Sequence, residues 1–143
     1  MGELNELYQA IILDHNKRPR HSGVLEETTH QADGYNPTCG DKVVVFLRVV
    51  DGRINAITFE SASCAICRAS ASMMCCALVG ADLKEVRAWI ERIEDLFAGN
   101  VEASVFPEGS DLRALAGVKQ FPARVKCASL SWQALTKALG GEI

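Results

Sequence analysis

At 143 residues and 48% hydrophobic content, the chain has the size of one domain, 1–143, and is long enough to bury a sizeable core, which excludes a disordered or disulfide-stapled mini-protein. Its formal charge of −3 lacks the basic excess expected of a nucleic-acid binder, and the small cluster Lys17-Arg18-Pro19-Arg20-His21 reads as a solvated loop. Six cysteines, with no signal-like segment and no run apolar enough to span a membrane, point to a reducing cytoplasm and to metal ligands, redox groups or core fillers.

In chain order, Leu4, Leu7, Tyr8, Ile11 and Ile12 fall on one face of an amphipathic helix from about Glu3 to Asn16, ended by Pro19. Residues 24–35 form a weak, polar stretch, an edge strand at most. Asn36-Pro37-Thr38-Cys39-Gly40-Asp41 cannot be helical, because proline restricts its own φ and its predecessor's, and Gly40 permits a sharp turn. Cys39 and Asp41 can therefore face one centre.

Val43 to Val50 and Ile54 to Phe59 are β-rich runs joined by Asp51-Gly52, the signature of a hairpin. Antiparallel pairing carries Asp41, just before the first strand, and Cys64, just after the second, to the same sheet edge. From Cys64 to Val79 the Ala- and Met-rich sequence predicts a buried helix closed by Gly80. A second helix starts at Asp82 with Glu85 three residues on, and its apolar face is Val86, Trp89, Ile90, Ile93 and Phe97. Ser110 is expected to cap a short helix ended by Gly117. Pro122 opens the last helix, to about Leu139, with Cys127, Leu130, Ala134 and Ala138 on its inward face.

Three thiols and a carboxylate, Cys39, Cys64, Cys127 and Asp41, suit a tetrahedral zinc site or the edge of an iron–sulfur cluster. Cys64 and Cys127 are both expected near helix starts, where the dipole lowers a thiol pKa. Cys64-Ala65-Ile66-Cys67 is a C-x-x-C with two readings, an accessory redox or metal pair and a small hydrophobe at Cys67; Cys75 and Cys76 read as helix packing. His15 has two readings, a cap on the end of the first helix and part of a partner surface; His21 and His30 read as solvated, and Trp89 and Trp132 as core.

Asn36 to Asp41, Ala69-Ser70-Ala71-Ser72-Met73-Met74, and Phe121-Pro122-Ala123-Arg124-Val125-Lys126-Cys127 together resemble the SufU branch of the IscU/NifU N-terminal domain family. Leu7-Tyr8 through Asp14-His15 and Pro19-Arg20 match its N-terminal helix and loop, so the resemblance covers nearly the whole chain. It implies an α+β fold, a small antiparallel sheet packed by helices on one face, and a role in iron–sulfur cluster assembly. Lys126 stands where cluster-building scaffolds carry histidine, and the segment around Asn100 to Gly117 is similar to the SufU insertion. Ser63 stands where the family usually has glycine.

Members of that branch bind zinc through three cysteines and the aspartate, here Cys39, Asp41, Cys64 and Cys127, and accept sulfur from a cysteine desulfurase. The resemblance makes Cys39 the acceptor and Cys127 the runner-up, with the sulfur passed to a downstream iron–sulfur scaffold. Arg124, near the metal pole on the last helix, is the candidate for recognising the partner. The alternatives are a scaffold building a cluster on the same four residues, and a purely structural zinc module. A carboxylate ligand argues against the last.

Overall fold

Asp51 and Gly52 turn the chain with φ of 51° and 74°, the conformation a two-residue hairpin demands. In the computed structural model, which describes residues 2–143 and side chains from Glu6 onward, they join β2 (Asp41–Val50) to β3 (Arg53–Ala62) in antiparallel register. Arg48 pairs with Ala56 but Val49 with Ile54, so Asn55 is an extra residue. That bulge lets Ile54 and Ile57 both face the core, although an unbroken strand would send them to opposite sides.

The polar stretch HQADGYN forms β1 (His30–Asn36), paired with the other side of β2 to give the order β1-β2-β3. Val43, Val45, Leu47, Ile54, Ile57 and Phe59 fill the inward face, and each such side chain contributes about 1.5–3 kcal/mol of burial. The opposite face is crossed by the segment leading to β1. That segment starts at the free edge of β3, where Gly23 N–H donates to Phe59 O at 2.8 Å. It then runs past Arg48, whose guanidinium donates to the Glu26 and Glu27 carbonyls at 2.6 and 3.3 Å. Phe46, on the same side of β2 as Arg48, is buried there.

The helices are α1 (Gly2–Lys17), α2 (Ala65–Leu78), α3 (Leu83–Ala98) and α4 (Pro122–Leu139), with 3₁₀ turns at Ala103–Val105, Asp111–Gln120 and Gly140–Glu142. Helices α2 and α4 lie on the inward sheet face, and α1 packs on α2. Nine of the fourteen residues of α2 are buried, and its Ala69-Ser70-Ala71-Ser72 run gives neighbours close access. Asp82 caps α3 by accepting from Glu85 N–H at 2.8 Å, as its position predicts. Trp132 is core; Trp89 is half-buried and stacks on Phe106 with centroids 5.7 Å apart. Among the described residues, no helix is long and apolar enough to cross a membrane.

Several expectations are corrected. Leu7 is 54% exposed, because α1 meets its neighbours through Tyr8, Ile11, Ile12 and His15; Leu4 lies outside the described side chains. The helix after Ser110 runs through Gly117 to Gln120 in 3₁₀ turns, because Gly117 does not take the positive φ of a helix stop. His30 is not solvated: it lies in β1, half-buried and paired with Glu142. Cys76 is exposed rather than packed, since its side of α2 is left partly open beside Asp111 and Leu112.

Candidate metal centre

The β1–β2 loop is built by local bonds that its sequence dictates. Asn36 Oδ1 accepts from Thr38 N–H at 3.1 Å, an Asx turn, and Gly40, at φ 77°, donates its N–H to Asn36 O at 2.8 Å. Cys39 thereby sits exposed on the loop, with Asp41 buried at the first position of β2. Lys42 pairs with Ala62, so the chain leaving β3 returns to the same end of the sheet with Cys64. Ser63 is not among the residues at positive φ, so the backbone there does not require glycine.

Cys64 is the N-cap of α2: its Sγ accepts from Cys67 N–H at 3.5 Å, and its own N–H donates to Asp41 Oδ1 at 3.0 Å. The C-x-x-C spacing is therefore that of a cap and its third helical residue. Cys67 itself is fully buried, and burial pushes its thiol up to about 12. Cys75 is likewise buried and displaced upward by burial. Cys127, in the second turn of α4, is buried with its Sγ 3.8 Å from Cys39 Sγ.

The donor atoms of Cys39, Asp41 and Cys127 all lie within 4.8 Å of one another. Cys64 borders this trio through its bond to Asp41, with its Sγ outside that mutual span. Asp41 Oδ2 is buried and has no hydrogen-bond partner among the described residues. A buried carboxylate oxygen without a donor is costly, and here it stands beside two thiols, where a cation would satisfy it. Two sulfurs at about 2.3 Å from a tetrahedral zinc stand about 3.8 Å apart, the separation the two thiols already have. The residues present therefore fit a thiophilic divalent metal.

The electrostatics agree with a site made for a cation. Burial raises the Asp41 pKa, but the Cys127 thiol, the Cys64 N–H and the Cys39 and Cys64 thiols outweigh it and hold the carboxyl below its ordinary range. Burial, then Asp41 and Cys39, push the Cys127 thiol well above its ordinary range. This reverses the lowering expected from the helix dipole, because Cys127 lies inside the helix rather than at its open end. A bound cation would invert that order and favour the thiolate.

Behind the site, Ser70 ties α2 to α4: its Oγ donates to Ala128 O at 2.6 Å and accepts from Trp132 Nε1–H at 3.1 Å. A second buried network was not legible in the sequence. His15 does not cap α1; its Nδ1 is 2.8 Å from Ser72 Oγ and its Nε2 is 2.7 Å from Asp111 Oδ2. Ser72 Oγ also accepts Arg20 N–H at 2.9 Å. This Ser-His-Asp alignment is not a nucleophilic triad, because Ser72 is fully buried and out of reach of a substrate. It fastens α1, α2 and the 111–120 segment together. Nothing in local spacing announces it, since its members stand 57 and 96 residues apart.

Arg124 and Lys126 are exposed on the first turns of α4. Arg124 lines a groove of about 220 Å³ with Tyr8, Ile12, Ile66 and Phe121, and Phe121 is 59% exposed.

Residues 7–140 match the model of the NifU-like N terminal domain. The chain is 39% identical over 141 residues to the zinc-dependent sulfurtransferase SufU of Bacillus subtilis, covering 99% of this chain and 95% of that one. It is 37% identical over 142 residues to the iron-sulfur cluster assembly scaffold protein IscU of Streptococcus pyogenes, covering 97% and 86%. The crystal structure of the N-terminal part of a nitrogen-fixing NifU-like protein from Brucella abortus superposes with a TM-score of 0.83 at 26% identity, covering 94% and 93%. The chain belongs to the NifU-like N-terminal domain family.

Proposed function

We propose that this protein works in iron–sulfur cluster assembly as a zinc-dependent sulfur acceptor, with Cys39, Asp41, Cys64 and Cys127 as the metal donors and Cys39 as the acceptor. The observation that carries the reading is the difference in access among the donors. Cys39 is exposed, whereas Cys127 and Asp41 are buried and Cys64 is half-buried. A partner's persulfide can reach Cys39 without unfolding anything.

Bound zinc would supply the positive charge that keeps the thiols ionised near neutral pH. Asp41 holds the Cys64 N–H and, as the hardest donor of the four, is the one suited to exchange when a partner docks. In the transfer step the Cys39 thiolate attacks the outer sulfur of a cysteine desulfurase persulfide. A new sulfur–sulfur bond forms on Cys39, the bond on the desulfurase breaks, and its electron pair leaves as the desulfurase thiolate. No net oxidation or reduction occurs, and the persulfide on Cys39 is passed to a downstream iron–sulfur scaffold. The exposed Arg124 and Phe121 beside the groove are the recognition surface for the desulfurase. Six unpaired thiols suit a reducing cytoplasm.

A second reading, a scaffold that assembles a cluster on the same residues, is supported by the IscU relative and by a donor set that iron also accepts. Against it, Lys126 is exposed and offers no imidazole next to Cys127. The test incubates the protein with desulfurase and cysteine and locates the added sulfur by mass spectrometry. Sulfur on Cys39, abolished by Cys39→Ala even at saturating protein, is expected; sulfur on Cys67, Cys75 or Cys76 with Cys39 unmodified overturns the mechanism. A stable, near-stoichiometric cluster after iron and sulfide reconstitution, transferred intact to an apo-ferredoxin, moves the protein to the scaffold class.

A further inference from the structure

On β1, half-buried and exposed residues alternate, and Gly34 falls on the side turned to α4. Its φ is not positive, so the backbone conformation does not ask for glycine. The space does. A Cβ at Gly34 would stand 3.1 Å from Leu130 Cδ1, 3.2 Å from Leu130 Cγ and 3.2 Å from Leu130 O, inside the 3.4 Å where ordinary contact begins. Leu130 is 5% exposed within the core, so its side chain has little room to move away, and its carbonyl belongs to the α4 backbone.

The contact is rigidly connected to the sulfurs on both sides. Gly34 pairs with Val43 and Asn36 with Asp41, so the Cys39 loop rides on the same hairpin. Leu130 lies one helical turn beyond Cys127 on α4. Resting on the metal-centre reading above, we propose that Gly34 is a positioning residue for the centre. Its missing side chain lets β1 close on α4, and that approach sets the 3.8 Å separation of the Cys39 and Cys127 sulfurs. An added methyl pushes the two elements apart by a few tenths of an ångström and opens the sulfur–sulfur edge beyond what one tetrahedral ion spans. The ligand chemistry is unchanged.

The test compares wild type, Gly34→Ala, Leu130→Ala, Gly34→Ala/Leu130→Ala and, as a control, Gly141→Ala, where an added Cβ meets nothing. Zinc affinity is measured by chelator competition, the absorption of the cobalt-loaded protein reports thiolate coordination and tetrahedral geometry, and thermal unfolding is followed in chelator. Gly34→Ala is expected to lose about tenfold or more in zinc affinity, as disturbed supporting contacts do, and to weaken the tetrahedral cobalt bands. Gly141→Ala should match wild type. The double variant removes Leu130 Cγ and Cδ1 but keeps the backbone carbonyl at 3.2 Å, so it should bind zinc at least about threefold more weakly than Leu130→Ala, which decides the matter even if Gly34→Ala alone does not fold. A Gly34→Ala protein that melts lower in chelator yet keeps wild-type zinc affinity and cobalt spectrum overturns the inference while leaving the metal reading intact. So does a folded double variant that binds zinc as tightly as Leu130→Ala. A wild-type protein that binds neither metal through sulfur overturns both.

Discussion

Replacing Asp41 by Asn should lower stability modestly without zinc and by more when zinc is present. Asn keeps an oxygen for the Cys64 N–H, now 3.0 Å from Asp41 Oδ1, and puts an amide N–H₂ where Oδ2 is buried without a partner. Losing the charge weakens the bond to Cys64 by about 1 kcal/mol, the difference between charged and neutral acceptors. The amide N–H₂ that replaces Oδ2 is no better partnered there, and the Cys64 N–H and the neighbouring thiols favour the carboxylate, so removing the charge returns nothing. In chelator, then, Asp41→Asn should be about 1 kcal/mol less stable than wild type, a fall of roughly 3 °C for a chain of this size. In zinc the loss grows. Losing the anionic donor should weaken binding by at least about tenfold, and with zinc in excess each tenfold removes about 1.4 kcal/mol of stabilisation. The assay is urea unfolding of both proteins in chelator and at one fixed free zinc concentration, with affinity from chelator competition. A variant at least as stable as wild type in chelator shows that the Asp41 charge is not favoured by its neighbours, and one whose zinc affinity stays within about threefold shows that it is not needed by the metal.

Other expectations concern the surrounding structure. His15→Ala removes bonds of 2.8 and 2.7 Å to Ser72 and Asp111 and leaves a cavity, so it should cost about 2–4 kcal/mol in urea unfolding. Full stability in that variant would mean the 111–120 segment is held by other contacts. The chelated protein should lose stability in alkali: burial raises Cys67 from the usual 9 to about 12, so the folded state keeps a proton that the unfolded chain releases. That stability is complete below pH 9 and is lost between about 9 and 12, up to about 4 kcal/mol at 1.4 per unit. Cys67→Ala should flatten this part of the pH profile and leave zinc content unchanged. Arg124→Ala should raise the protein concentration needed to stimulate a desulfurase, most visibly at low salt, and leave zinc bound; unchanged concentration dependence would remove Arg124 from the docking surface.

Local chemistry alone dictated much of this molecule. Asp51-Gly52 between two β-branched runs specifies a hairpin, Asp82 with Glu85 specifies a helix start, and Asn36-Pro37 with Gly40 specifies a non-helical loop. Each depends only on residues a few positions apart. The pairing of Asp41 and Cys64 at one sheet end followed from the same hairpin, because antiparallel strands return the chain to where it began. Tertiary structure decided the rest. The bulge at Asn55 put Ile54 and Ile57 on one face, and a polar segment became β1 because β2 offered it an edge. Burial beside Asp41 and Cys39 raised the Cys127 thiol instead of lowering it, since desolvation and neighbouring charge outweigh a helix dipole away from the helix end. The His15–Ser72–Asp111 tie and the Gly34–Leu130 approach join residues 57 to 96 positions apart. Such contacts exist only once the elements have packed, so no spacing along the chain records them.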